Sequence, residues 1–264
     1  MSFDPTQAAT ALRDARTARR PAGPLPPAIV PADEAQGAAV QLALARLLQS
    51  DPPGGFKIGA TSPRMREYLG LTAPLGGFMQ ARDIHPTGAR LPFAAYRGPG
   101  VECEIGVRLA ADLPPGPCTQ EQAGAAVGEM FAAIELVENR YGPPPAGDLA
   151  ALGVPTLLAD QIFHAAAILA PPAAAWRSLS LASIQGRISI DGTERAAGLG
   201  SELLGHPLAA LAWLAGSITA TAFGGLRAGQ VIMLGSVTPP IWLDGPCTVE
   251  VAFPGLGTAT VILE

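Results

Sequence analysis

Three glutamates have the type and spacing to hold a metal ion: Glu102 and Glu104 in the stretch VECEIGV, and Glu135 in AAIELVENR. VECEIGV reads as a strand, where residues two apart share a face, so Glu102 and Glu104 point one way and Val101, Cys103 and Ile105 the other. Two adjacent carboxylates repel. Where they are partly buried they need a cation or a shared proton, whereas on an edge strand they form an ordinary solvated face; the spacing alone leaves both readings open. Glu135 adds weight to the first. Its neighbours Ile134, Leu136 and Val137 read as buried, and an unpaired carboxylate in such surroundings is expensive. Three carboxylates with coordination positions left for water and substrate suit Mg²⁺ or Mn²⁺. Zinc is a poorer match, because His85, His164 and His206 show no paired spacing, nor do Cys103, Cys118 and Cys247.

A lysine is the second chemical signal. Lys and Arg total 17, and Lys57 is the single lysine. The chain meets its general need for positive charge with arginine, so a position that keeps lysine can require what guanidinium cannot supply: a compact charge able to release a proton. Chance retention of one surface lysine is the plain alternative.

These residues need a scaffold, and 264 residues at 48% hydrophobic composition can bury a full core. A net charge of −5 with scattered basic residues gives no footprint for a phosphate backbone, so nucleic acid is not an expected partner. Three cysteines without metal-ligand spacing suit a reducing compartment. The N-terminus MSFDPTQAATALRDARTARRP lacks the apolar core of an export signal, and a cytoplasmic location is expected. The apolar tract from Leu208 to Phe223 is interrupted by Ser217, Thr219 and Thr221 and reads as a buried helix rather than a membrane span.

Along the chain, an alanine-rich helix is expected from Thr6 to Arg19, a proline-rich strap from Pro21 to Pro31, and a second helix from Ala32 to Gln49, stopped by Asp51-Pro-Pro-Gly-Gly. From Phe56 short strands dominate: FKIGA, VECEIGVRL, IELVENR, RISIDG, VIMLGSV, CTVEVAF and TATVILE. Helices are expected at Gln120 to Phe131 and His206 to Phe223, with Pro207 in the first turn. Asp191-Gly192 signals a hairpin, and GPPPAG at Gly142 to Gly147 a mobile loop. This pattern predicts an α+β fold with a mixed or mostly antiparallel sheet, and disfavours a doubly wound one. The glycines of GLGSELLG, Gly198 to Gly205, lack the spacing of a nucleotide loop.

Six segments together resemble a known family: FKIGATS (Phe56 to Ser62), VECEIGV (Val101 to Val107), IELVENR (Ile134 to Arg140), LADQ (Leu158 to Gln161), GLGSELLGHPLAALAWLA (Gly198 to Ala215) and LRAGQVIMLGS (Leu226 to Ser236). In this order, over about four-fifths of the chain, they are similar to the 2-keto-4-pentenoate hydratase and 4-oxalocrotonate decarboxylase branch of the fumarylacetoacetate hydrolase superfamily. The resemblance implies a helical N-terminal region, residues 1–54, on a catalytic domain of mixed β-sheet or barrel type, residues 55–264. It implies Mg²⁺ or Mn²⁺ on Glu102, Glu104 and Glu135, and Lys57 at the substrate, with Lys57 and Glu135 as the catalytic pair. It also implies a cytoplasmic homo-oligomer in aromatic compound catabolism, acting on a small 2-oxo or 2-hydroxydienoic acid.

Where the family usually carries an acidic residue after GGFMQ, this chain has Arg82, with Asp83 one position on; a one-residue slip in a strand reverses a side chain's direction. Gln161 stands in place of asparagine. Asp83 and Ser236 are candidate substrate contacts, Ser236 alternatively a turn-closing residue. His206, directly before Pro207, reads as a cap rather than a base. No histidine precedes His85, so the lid histidine of the superfamily's hydrolases is missing. The expected activity is hydration of a 2-hydroxy-2,4-dienoate, with 2-oxo acid decarboxylation, acylpyruvate hydrolysis and a catalytically silent partner subunit as alternatives.

Overall fold

The computed structural model describes residues 3–142 and 152–264. The expected GPPPAG loop, beyond its first glycine, lies outside the described residues. Two helices come first, α1 (Pro5–Thr17) and α2 (Glu34–Leu47). Each begins after an aspartate: the Asp4 carboxylate accepts the Thr6 N–H and the Asp33 carboxylate the Gln36 N–H, pairing donors that a first helical turn leaves open. The proline-rich stretch between the helices carries no helix or strand, as expected from its missing N–H groups. Ala8, Ala9, Leu12 and Ala15 of α1, and Ala38, Val40, Leu44 and Ala45 of α2, are buried where the helices meet each other and the rest of the chain. Gln41 of α2 is fully buried and donates to the carbonyls of Gly76 (3.0 Å) and Leu158 (2.6 Å), which fixes the helix pair to the strand Leu75–Met79 and to the helix Val154–Ala159.

The strands are β1 (Gly55–Gly59), β2 (Leu75–Met79), β3 (Ile84–Pro86), β4 (Ala89–Leu91), β5 (Pro99–Leu109), β6 (Val127–Glu138) and β7 (His164–Leu169). They continue with β8 (Gln185–Ile190), β9 (Thr193–Leu199), β10 (Val231–Ser236), β11 (Ile241–Trp242), β12 (Cys247–Phe253) and β13 (Gly257–Leu263). One sheet runs β2, β1, β10, β5, β6, β7, β3, with β11 also on β5; the other runs β4, β13, β12, β8, β9. The pairs β1/β10, β3/β7 and β4/β13 are parallel and the other pairings antiparallel. The mixed sheets are those of an α+β fold. Period-two alternation explains how they stack: Val101, Cys103, Ile105 and Val107 are buried on β5, which packs against β8 and β12 of the second sheet. Each such aliphatic side chain contributes about 1.5–3 kcal/mol when fully buried. The Asp191-Gly192 turn joins β8 to β9, both residues at positive φ (49° and 76°), as a tight hairpin requires.

Two sequence expectations are corrected. The helix expected from Gln120 to Phe131 ends at Ala126, and β6 starts at Val127. Met130 and Phe131 there pair with Val107 and Gly106 on β5, so the ladder and its burial override local helix propensity. The helix expected from His206 to Phe223 is two helices, Pro207–Ala215 and Ile218–Ala222, broken at Gly216 and Ser217, where Ser217 caps the second by accepting the Ala220 N–H. By length and composition the apolar segment Gly200–Ala222 could cross a membrane, but half of it is buried inside the fold. Gly198 answers the glycine-run question: a Cβ there would lie 1.8 Å from the Val237 carbonyl oxygen, so this glycine permits a close backbone approach.

Candidate functional site

The β5/β6 register builds the acidic cluster. Glu102 sits directly opposite Glu135, and Glu104, two residues on, lies on the same face opposite Ala133, with Ser236 of β10 on its other side. One carboxylate oxygen from each of the three glutamates lies within 4.8 Å of the others. Because β5 is an interior strand between β10 and β6, the solvated edge-face reading does not hold: Glu104 and Glu135 are 0% exposed and Glu102 is half-buried. Like charges directly opposite each other across a ladder are destabilising. The Gly235 N–H donates to Glu104 Oε2 (3.0 Å), but among the described residues Glu104 Oε1 and Glu135 Oε2 are buried without a hydrogen-bond partner.

Ionisation follows from these surroundings. Burial, then the neighbouring Glu135 charge, raises Glu102 to about 7. Burial and the charges of Glu135 and Glu102 push Glu104 well above the usual carboxylate range. For Glu135 burial acts in the same direction, but Lys57 and His164 outweigh it and hold the carboxyl down at about 2. The cluster therefore has one firmly ionised member and two whose ionisation burial and neighbouring charge oppose, a balance that a bound cation would reverse. Three oxygen donors, two with orphaned buried atoms, fit a hard divalent ion such as Mg²⁺ or Mn²⁺.

Lys57 enters from β1, 1% exposed, with Nζ 3.4 Å from Glu135 Oε1 and donating to the Ile162 carbonyl at 2.9 Å. A Cβ on Gly59 would stand 2.7 Å from the Ile162 side chain and 3.3 Å from Lys57 Nζ, so the glycine of KIG keeps room for this contact. The reading of Lys57 as a chance surface residue is excluded by its burial.

His164 is a site residue that sequence reasoning missed. Its Nδ1 lies 2.8 Å from Glu135 Oε1, and its Nε2 is buried without a partner among the described residues. The register of β6 with β7 shifts between Leu136 and Val137, so that Val137 pairs with His164; a bulge of this kind re-aims a side chain. No signal in HAAAIL announces that shift.

The remaining candidates fall differently. The Ser236 hydroxyl accepts N–H bonds from Cys103 (3.2 Å) and Thr238 (3.3 Å), a turn-closing arrangement beside Glu104. Asp83 lies in a single helical turn, Ala81–Asp83, where its carboxylate accepts from Gln80 Nε2 (2.6 Å), while Arg82 next to it points largely into solvent. Neither belongs to the three-carboxylate group. His206 caps the helix Pro207–Ala215, its Nδ1 accepting the Leu208 N–H.

Comparison with known proteins agrees with this arrangement. Residues 70–263 match the model of the fumarylacetoacetate (FAA) hydrolase C-terminal family. A 2-keto-4-pentenoate hydratase of Burkholderia vietnamiensis is 30% identical over 204 residues, 77% of this chain and 75% of the relative. Another protein of that name, from Paraburkholderia phymatum, is 29% identical over 252 residues, 95% and 94% of the two chains. Among solved structures, 4-oxalocrotonate decarboxylase from Pseudomonas putida G7, complexed with magnesium and adipate, superposes with a TM-score of 0.83 over 100% of this chain and 99% of that one, at 21% identity. The match of the family model to most of the chain, spanning all three clustered glutamates, shows that this protein belongs to the fumarylacetoacetate hydrolase family.

Proposed function

We propose that this protein is a divalent-metal-dependent hydratase adding water to a 2-hydroxy-2,4-dienoate, the 2-keto-4-pentenoate type of acid. The observation that carries the reading is the cluster of half-buried Glu102 with fully buried Glu104 and Glu135, and Lys57 against it. The names of the two relatives, both hydratases, support the reaction type.

Glu102, Glu104 and Glu135 would hold Mg²⁺ or Mn²⁺, and a bound ion supplies Lewis acidity toward the carboxylate and 2-oxo oxygens of such a substrate. The chain's own groups then have defined tasks. Glu135 stays anionic through Lys57 and His164, and so offers a fixed carboxylate. The Lys57 ammonium has three donors: one is bonded to Ile162 and one faces Glu135, leaving a third for a substrate oxygen on which charge develops. Burial of Lys57 and Glu104 excludes bulk water from this end, which strengthens each electrostatic contact. Asp83 and Ser236 are proposed as further substrate contacts.

The test is loss of dienol ultraviolet absorbance by the purified chain in Mg²⁺ buffer, with the product identified by mass. Gain of one water with dependence on the metal supports the hydratase. Release of carbon dioxide would favour the decarboxylase reading, which is supported by a Pseudomonas putida relative named 4-oxalocrotonate decarboxylase, 25% identical over 206 residues. Cleavage into two acids would indicate a hydrolase, and no turnover with any short dienol a silent subunit.

A further inference from the structure

Between Asp160 and His164 the backbone passes through three consecutive left-handed residues, Gln161 (φ 61°), Ile162 (φ 40°) and Phe163 (φ 74°). None is glycine or asparagine and Ile162 is β-branched, so each is strained, and such a run persists only where its surroundings over-determine it. The surroundings here are polar and specific. Asp160, fully buried, accepts from Arg140 Nε (2.9 Å) and Arg16 Nε (3.2 Å). Gln161 donates to the Phe78 carbonyl (2.5 Å) and accepts from Arg16 Nη1 (2.7 Å). The planar fork of one guanidinium, brought in by α1, thus spans both residues that lead into the turn.

The turn presents groups to the acidic site at its far end. The Ile162 carbonyl accepts the Lys57 ammonium at 2.9 Å, and His164, directly after the turn, meets Glu135 at 2.8 Å. A relaxation of Gln161 or Ile162 toward ordinary dihedrals would swing that carbonyl away and leave Lys57 with Glu135 alone. We propose that Arg16 is a positioning residue: through Asp160 and Gln161 it holds the left-handed turn whose Ile162 carbonyl sets the position of Lys57. Helix α1, outside the segment matched by the family model, is on this account part of the apparatus that orients the site. The inference rests on the proposed role of Lys57 at the substrate.

Because Lys57 is the chain's single lysine, labelling lysine with ¹⁵N at Nζ gives one side-chain ammonium signal and reads its environment directly. The full-length protein with Mg²⁺ is compared with Arg16→Lys, which keeps the charge but loses the fork. Gln161→Met cuts the same link from the other side and serves if the arginine variant folds poorly. Arg13→Gln is the control, since among the described residues the Arg13 side chain pairs with Asp14 alone, at the surface of the same helix. The expected result is a shifted and faster-exchanging Nζ signal in Arg16→Lys and in Gln161→Met. With it, kcat falls ten- to a hundredfold, as about 1 Å of misplacement produces, while KM changes little. The control keeps the wild-type signal and rate. An unmoved Nζ signal in both variants would overturn the proposal, whatever the rate does, and so would a moved signal with wild-type kcat. Full activity in Lys57→Met would instead sink the role of Lys57 itself, separately from whether Arg16 positions it.

Discussion

Replacing Glu102 by glutamine should stabilise the metal-free protein at neutral pH. Glu102 sits opposite Glu135 across the β5/β6 ladder, and burial together with that charge raises its carboxyl from 4.5 to about 7. Between those two values the folded chain keeps a proton that the unfolded chain has lost, so stability falls as pH rises through this window. About 2.5 pH units at 1.4 kcal/mol each gives about 3.5 kcal/mol as an upper figure. Glu104, also raised, acts in the same direction. Glu135, held at about 2, acts in the opposite sense, but its contribution is complete above 4.5 and is lost only as pH falls toward 2, outside the window. Urea denaturation in EDTA from pH 4.5 to 8 is the assay. Wild type and Glu102→Gln should agree near pH 4.5, and the variant should be more stable by up to about 3.5 kcal/mol above pH 7. Excess Mg²⁺ should reverse the order, because an ion that binds only the folded wild-type cluster adds stability. Parallel profiles in EDTA would refute the claim that the three carboxylates are frustrated without a cation.

Two further outcomes follow from other contacts. Lys57→Arg keeps the charge but places a planar guanidinium where Gly59 and Ile162 leave room for an ammonium, so turnover should fall about 100-fold or more; near-wild-type kcat would return Lys57 to an incidental role. Arg140→Met removes the Nε partner of buried Asp160 and should destabilise the fold by about 3 kcal/mol in chemical denaturation, while a loss under about 1 kcal/mol would show that Arg16 suffices.

What could be read from the residues follows the physics of each signal. The carboxylate face of VECEIGV was legible because period two is a property of any strand, and Lys57 stood out because the rest of the chain uses arginine. The Asp191-Gly192 hairpin and the Pro207 helix start were legible because glycine permits the positive φ a tight hairpin needs and proline fixes the φ of a first helical turn. His164 was not, since a bulge places it and bulges depend on the partner strand. The turn through Gln161, Ile162 and Phe163 was hidden for the converse reason: its residues disfavour the conformation they adopt, and the contacts that hold it come from distant segments, Arg16, Arg140 and the Phe78 carbonyl. Val127 to Phe131 carries a helical local pattern, and the pairing with β5 that makes it a strand is a long-range contact.

Calorimetric titration of Mg²⁺ into the metal-free protein at pH 7.5 tests most directly whether the acidic cluster is a metal centre. Wild type should bind one ion per chain, with proton release because Glu102 and Glu104 must ionise to bind it. Glu104→Gln, which removes an anionic donor whose Oε1 is buried without a partner, should bind at least about tenfold more weakly. Equal affinity in wild type and variant would contradict the account.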